Sequence, residues 1–420
     1  MQSKLKANYR LLRIAFISYE FPPDTGKGGI GTYTGQVAGL MVRQGAEVHV
    51  FCGSPYRMGQ EYTEGYQVHR IACVSGDDFR EKVTDIFGAV HAQQPFDIIE
   101  SPEINSNAAG IKKTFPSIPL VVRLHAPGYL VESLKKKYYP LSAKLRFVAG
   151  ALKRGRLDAG YWKRYDFEND ADYQFCKTAD AITAPSQAMK NWAVQHWLIK
   201  AKDITVIPNP FLPPGALLQL PVAEKAVHKQ IVFFGRLNVL KGLVNATLAM
   251  RKILKEFPLV HFKVIGDDGP GPVYNITMRQ WMQQQLKDVI EQVSFTDGFS
   301  YEHLPAAIAE AEIALLPSLF ESFSYTCAEA MAAGKAVIGS EGTGMDFIRH
   351  NISGILVSAN NPAAVYNAVK SLVLDDALRC SLAENARTAI REMFSDKILG
   401  DAYLEFYTDA VAKNTSISFS

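Results

Sequence analysis

The sequence predicts an α/β protein made of two successive parallel-sheet units. Three observations carry this. Short apolar runs alternate with amphipathic helical stretches from one end of the chain to the other, a proline-rich stretch divides the series in two, and 420 residues exceed the size at which one core keeps growing. Apolar runs of roughly four to eight residues separated by helices signal parallel strands joined by right-handed crossovers.

In the first series the expected strands are RIAFISY (13–19), EVHVFC (47–52), FDIIES (96–101), PLVVRLH (119–125), DAITAPS (180–186) and DITVIPN (203–209). TYTGQVAGLMVRQG (32–45) reads as the first helix. The stretch from Asn209 to Gln230 carries four prolines after Asn209 and reads as a linker. The rhythm then restarts with QIVFFG (230–235), VHFKVIG (260–266), QVSFTDG (292–298), EIALLPS (312–318), KAVIGS (335–340) and GILV (354–357). A final stripe of Ile398, Leu399, Tyr403, Phe406 and Tyr407 suits a helix. The polar tail KNTSISFS is expected to fray. Open parallel sheets take ligands at the carboxyl ends of their strands, so a cleft between the two units is the expected active site.

Composition narrows the class. Hydrophobic residues make up 48% and charged residues 21%, as in ordinary globular enzymes, and a net charge of +3 does not call for nucleic acid. Cys52, Cys73, Cys176, Cys327 and Cys380 are scattered without zinc-site spacing, which suits a reducing cytosol and argues against a disulfide framework. No apolar run approaches the length of a membrane-spanning helix. The basic residues Lys4, Lys6, Arg10 and Arg13 before IAFISY read as a leader to a buried strand, since the apolar run is short and lacks a cleavage site.

Gly26, Gly28 and Gly31 fit G-x-G-x-x-G literally. A dinucleotide fingerprint also needs its first glycine directly after the first strand and an acid closing the second. Here EFPPDT intervenes and the second strand ends in Cys52 and Gly53, so the dehydrogenase reading fails on both counts. The loop of Gly28, Gly29 and Gly31, before a helix opened by Thr32, leaves two readings: an anion cradle or a turn without ligand.

The second half is more specific. FFGRLNVLKGL places Arg236 just past a strand and Lys241 at the next helix start, two cations that suit a diphosphate. In PSLFESFSYTCAEAMAAGKAVIGS, Glu321 precedes a helix that starts near Tyr325, and Glu329 lies on it. A carboxylate accepting from two vicinal hydroxyls holds a ribose or sugar ring. The N–H groups of Ser322 to Tyr325 face phosphate oxygens in this reading.

The E-x7-E of ESFSYTCAE, the upstream FGRLNVLKG and the N-terminal GGIGTY together resemble the retaining glycosyltransferases of family 4. VIPNP, VIGDDGP and GSEGTGMDFIRHNISGILV are similar to further family stretches in the right order. The resemblance implies the GT-B fold: two Rossmann-like domains facing across a cleft, at 1–209 on the acceptor side and 230–393 for the nucleotide sugar. A 210–229 linker and a 394–420 helix crossing back to the first domain complete it. It also implies that Arg236 and Lys241, with Gly235, bind the nucleotide diphosphate. Glu329 then holds the ribose, and Glu321 with the Phe323–Ser324 backbone holds the donor sugar. Gly28, Gly29 and Gly31 face the phosphate, and His125 matches the cleft histidine. Ser322 and Ser324 stand where many relatives have glycine, and Asp346 replaces a glutamate. Asp267–Asp268 and Asp77–Asp78 form no D-x-D motif, so no metal is expected. The implied reaction is front-face transfer of a sugar from a nucleotide-diphosphate sugar, carrying uridine or guanosine, to a hydroxyl on a glycan, lipid-linked sugar or small molecule.

On the acceptor side, Glu103 and Asn105, with Glu100, stand at a strand's carboxyl end, where a polyol acceptor binds or a loop is merely solvated. The basic segment 135–156 carries Leu145, Val148, Ala149 and Leu152 at helical spacing. It either packs on its own domain or lies on an anionic membrane beside an acceptor. A cytoplasmic protein, peripheral at the inner membrane face if that helix binds lipid, is expected. Two other classes remain open from sequence: a nucleotide-sugar 2-epimerase of the same fold, which needs no acceptor, and a nucleotide-sugar-binding protein without turnover.

Overall fold

The computed structural model describes residues 11–417 except 27, 138–140, 156–164, 223–228, 274 and 299. The chain divides into two compact units. One gathers the chain up to Gly128, Asp166–Leu212 and the residues from Phe394 onward; the other gathers Tyr129–Tyr165 and Pro213–Met393.

The first unit holds an eight-stranded sheet of β1 (Arg13–Ser18), β2 (Glu47–Ser54), β3 (Gly59–Thr63), β4 (Tyr66–Ala72), β5 (Ile98–Pro102), β6 (Leu120–Arg123), β7 (Ala181–Ala184) and β8 (Ile204–Val206). The order is β3-β4-β2-β1-β5-β6-β7-β8, and all pairs are parallel except β3–β4. β1 is buried at all six positions because it lies between β2 and β5 with helices over the sheet. The order reverses between β1 and β5. The loops after these two strands therefore diverge, which opens the crevice where such sheets bind ligands.

The β3–β4 hairpin was not among the expected strands. β3, GQEYT, is exposed or half-exposed throughout, and β4 interrupts its apolar run with Gln67, His69 and Arg70. Those polar residues are satisfied in ways a hydropathy pattern does not reveal. His69 stacks on Phe51 at 4.3 Å, and Arg70 donates to the carbonyls of Phe21 and Pro22 at 3.2 and 2.7 Å.

The C-terminal helix, Asp396–Ile417, belongs to the first unit. Its buried stripe is Leu399, Tyr403, Tyr407 and Ala410, at spacings of four and three residues. Ile398, expected on the stripe, is instead 57% exposed, one position off that face. Arg43 pairs with Asp396 at 2.5 Å, and the Tyr403 hydroxyl donates to the Pro208 carbonyl at 3.0 Å.

The second unit holds β9 (Lys229–Phe234), β10 (Val260–Ile265), β11 (Val293–Thr296), β12 (Ile313–Leu315), β13 (Ala336–Ser340) and β14 (Ile355–Val357). The order is β11-β10-β9-β12-β13-β14, with every pair parallel. Here the reversal lies between β9 and β12. The helix Leu141–Lys153 also groups with this unit. Leu145, Ala149 and Leu152 are exposed on it, Val148 is half-exposed and Ala151 is buried, so the apolar positions read at helical spacing stand largely in solvent. Among the described residues no helix is long and apolar enough to cross a membrane.

Candidate active site

In the second unit the loops after β9 and β12 bring the expected cation and acid together. Val239–Lys241 forms a short 3-10 turn capped by the Asn238 side chain, which accepts from the Lys241 N–H at 3.2 Å. Gly242 ends the turn at φ +71°, and a Cβ there would lie 1.8 Å from the Pro317 carbonyl oxygen. Only glycine permits that approach. The Leu319 N–H then donates to the Leu240 carbonyl at 2.8 Å, tying the two loops side by side. The result is an ion pair between Lys241 Nζ and Glu321 Oε1, and the Ser318 hydroxyl donates to the same oxygen at 2.8 Å.

Arg236 is exposed and has no hydrogen bond or ion pair among the described residues. Its backbone is fixed nevertheless. Gly235 donates to the Ile265 carbonyl at 3.0 Å and Leu237 to Asp267 at 2.9 Å. A Cβ at Gly266 would sit 1.9 Å from the Gly235 oxygen, so the ends of β9 and β10 meet at a glycine contact. A rigid backbone carrying an unpaired guanidinium suits an anionic ligand.

Glu329 is buried on the helix Tyr325–Ala332. Burial pushes its carboxyl up to about 7, against the opposing influence of the Tyr301 hydroxyl bonded to it and of the Lys241 charge. Tyr301 was not among the expected site residues. Its sequence context, SYEHL, is polar loop and carries no signal of the contact.

The Glu321–Ser324 loop is clamped from behind. Gly344 donates to the Glu321 carbonyl at 2.7 Å and accepts from the Ser324 N–H at 3.2 Å, and a Cβ on Gly344 would lie 2.1 Å from the Ser322 oxygen. The Ser324 hydroxyl caps the helix by accepting from the Cys327 N–H. Ser324 N–H is therefore engaged in holding the loop, which corrects its expected availability to a donor. The Phe323 side chain is buried beside Phe347, with ring centroids 5.3 Å apart.

In the first unit the glycine loop follows β1. The helix opens at Gly29, capped by Gly28, rather than at Thr32, so Gly29 and Gly31 lie in its first turn. Their roles separate. A Cβ on Gly31 would stand 3.0 Å from Pro22 Cδ, and one on Gly26 (φ +63°) would collide with the Glu20 side chain at 2.5 Å. These two glycines allow close packing. A Cβ on Gly29 meets nothing within 4 Å, which leaves that position open to a ligand.

His125 follows β6 and is 4% exposed. Burial and the Arg123 charge hold its imidazole down to about 3, so it is neutral at working pH. Its backbone N–H donates to both oxygens of Glu103 at 2.9 Å. Glu103 is fully buried, pushed up to about 8 by burial, and so lies beneath His125 rather than open to an acceptor. Asn105 is exposed at φ +64° and sits over the helix N-terminus at Gly76, whose Cβ would lie 3.2 Å from its amide nitrogen. Phe16, Ser18, Tyr33, Thr34, Glu100 and His125 line a cavity of about 10 Å³, room for one water. Glu100, also considered for an acceptor, is buried and accepts from Tyr33 and Tyr407 at 2.6 and 2.7 Å. Among the described residues no group of three or more His, Cys, Asp or Glu side chains is arranged to hold a metal ion.

Two α/β units, one on an all-parallel sheet and the other on a sheet parallel in every pair but the β3–β4 hairpin, have the architecture of the GT-B glycosyltransferases. Residues 27–211 match Glycosyltransferase Family 4, and residues 228–375 match Glycosyl transferases group 1. A D-inositol 3-phosphate glycosyltransferase of Corynebacterium glutamicum is 23% identical, over 96% of this chain and 97% of its own length. Among solved structures, sucrose-phosphate synthase of Thermosynechococcus elongatus superposes with a TM-score of 0.74 at 20% identity, covering 96% of this chain and 100% of that one. Anabaena HepE in complex with UDP-glucose superposes with a TM-score of 0.63 at 16% identity, covering 95% and 100%. The chain belongs to the family 4 type of glycosyltransferases.

Proposed function

We propose that the protein transfers a sugar from a nucleoside-diphosphate sugar to an acceptor hydroxyl with retention of anomeric configuration. The observation that carries this is the set of Lys241 paired to Glu321, the exposed unpaired Arg236 and the buried Glu329, all on the loops and the helix that follow β9 and β12 in the second unit. Arg236 and Lys241 offset the diphosphate charge in this reading, so a metal is not required. Glu329 accepts from the ribose hydroxyls and Glu321 from the donor sugar. A UDP-linked donor is favoured, because a protein of the same fold binds UDP-glucose. His125, neutral and without a side-chain hydrogen bond among the described residues, contacts the reacting sugar in this reading.

In front-face substitution the bond from the anomeric carbon to the leaving phosphate oxygen breaks while the acceptor oxygen bonds to the same face. The acceptor proton passes to the departing phosphate. The protein's contribution is positioning and stabilisation of developing phosphate charge. A thermal-shift panel of UDP, GDP, ADP and dTDP with their sugars tests the donor class. Stabilisation by one nucleotide family, retained in EDTA, is the expected result, and the absence of any shift would sink the reading. Proton NMR of the product at the anomeric carbon decides retention. Product formed from nucleotide sugar alone as its 2-epimer identifies the epimerase instead.

The exposed Leu145 and Leu152 share their helix with exposed Arg146 and Lys153, which favours contact with an anionic membrane at the cytoplasmic face. Sedimentation with phosphatidylglycerol vesicles and not with phosphatidylcholine vesicles is the expected outcome.

A further inference from the structure

His125 has a fixed backbone but no side-chain hydrogen bond among the described residues, so something other than a polar partner must orient its ring. The neighbour that does so is Tyr33, packed edge-on to the imidazole with centroids 5.2 Å apart and planes at 71°. Tyr33 comes from the first helix, one turn past Gly29. It is itself held on two sides. Its hydroxyl donates to Glu100 Oε1 at 2.6 Å, and the Arg123 guanidinium lies 4.8 Å from its ring centroid. The other Glu100 oxygen accepts from Tyr407 of the C-terminal helix at 2.7 Å. Tyr33, Glu100, Arg123 and Tyr407 are all buried, and all belong to the first unit.

We propose that Tyr33 and Glu100 are positioning residues for His125, and that Tyr407 extends the same chain of contacts into the C-terminal helix. A ring with no hydrogen bond of its own keeps one orientation only if its packing partner keeps one. Tyr33 without its anchor on Glu100 loses the hydrogen bond that fixes its ring, and the small cavity it lines leaves room for the ring to shift. Glu100 in turn is held by two phenols rather than one. The last helix thereby acts on a residue more than 270 positions earlier in the chain, through Glu100. The proposal rests on the reading that His125 contacts the reacting sugar.

The test has a ligand-free arm and a turnover arm. In protein labelled with carbon-13 histidine, the Cε1–H signal of His125 is identified by its loss in His125→Asn. Tyr33→Phe and Tyr407→Phe are each expected to move that signal, while the signal of the exposed His261 in the second unit stays in place. Their double variant is expected to move it no further than Tyr33→Phe alone, because the contacts act in series. An unmoved His125 signal in Tyr407→Phe overturns the link to the C-terminal helix, and an unmoved one in Tyr33→Phe overturns the whole proposal. The turnover arm follows release of UDP from UDP-glucose. Tyr33→Phe is expected to lower kcat about tenfold or more with KM for UDP-glucose within about twofold, as misplacement of a contact group does. His125→Ala separates the two levels. A loss in His125→Ala without a loss in Tyr33→Phe refutes the positioning role alone, and no loss in His125→Ala refutes the underlying reading as well. Tyr407→Phe, which removes one oxygen and leaves the helix packed, serves as the variant if Tyr33→Phe folds poorly.

Discussion

At the scale of single residues the site sets side chains that cost stability against ones that do not. Arg236 is exposed and unpaired among the described residues, so Arg236→Ala is expected to lower turnover by about a hundredfold with no change in melting temperature. Lys241→Ala differs, because it leaves Glu321 half-buried with only Ser318 as donor and should lower both. Measuring thermal melts beside kcat separates the two. Glu329 makes the opposite case. Its folded carboxyl stands at about 7, above the ordinary 4.5, so the folded state holds its proton more tightly than the unfolded chain does. That contribution to stability is complete below pH 4.5 and is lost as pH rises through 7, to the extent of about 3 kcal/mol. Glu329→Gln is accordingly expected to raise the melting temperature at pH 8 while weakening UDP binding. In the wild type, calorimetric UDP affinity should fall as pH drops below about 7, because the protonated carboxyl accepts one ribose hydroxyl bond fewer. A pH-independent affinity would remove Glu329 from the ribose.

At the scale of elements, the polar pair on β2 and β4 gives the first unit a weakness to acid. His49 and His69 are stacked 5.2 Å apart, with His49 Nδ1 to His69 Nε2 at 2.9 Å, and burial holds His69 down to about 4. The unfolded chain takes up its proton near 6.5, so stability is full above that pH and falls toward 4, by about 3 kcal/mol for His69. His69→Phe keeps the stack on Phe51, and its melting temperature should exceed the wild type's increasingly from pH 7 to pH 4.5. An equal acid response in both proteins would refute this. The same pair explains what sequence reading missed. Strands buried on both faces, such as β1 and β13, announce themselves as continuous apolar runs, and most of the twelve expected strands carry such a run. β4 hides because its polar residues are satisfied by partners distant in sequence, Arg70 by Pro22 and His69 by His49. The site divides along the same line. Arg236, Lys241, Glu321 and Glu329 stand in loops with a recognisable spacing, and the structure adds the Lys241–Glu321 pair. Tyr301 on Glu329 and Glu103 beneath His125 are contacts across the fold, and no local pattern marks them.

For the molecule as a whole, the order of the chain and the order of assembly differ. The first unit is built from three separate stretches, the last of them beginning at Phe394, whereas Pro213–Met393 of the second unit is one continuous stretch carrying its entire sheet. Tyr403 and Tyr407 are fully buried in the first unit, over Arg123 and against Glu100. Ending the chain at residue 393 removes both, strips Glu100 of one of its two donors and opens the face of the sheet that the helix covers. A buried carboxylate left short of a partner costs about 1–3 kcal/mol by itself, and two lost tyrosines cost several more. That sum is a large fraction of the stability of a whole domain. A fragment of residues 1–212 is therefore expected to lack the sharp, dispersed amide NMR spectrum of a folded protein, while a fragment of 213–393 shows one. Adding the peptide 394–417 to the first fragment should restore part of that dispersion, since the contacts it makes are within one unit and need no covalent link. A folded 1–212 fragment without the peptide would show that the last helix merely covers a unit already formed.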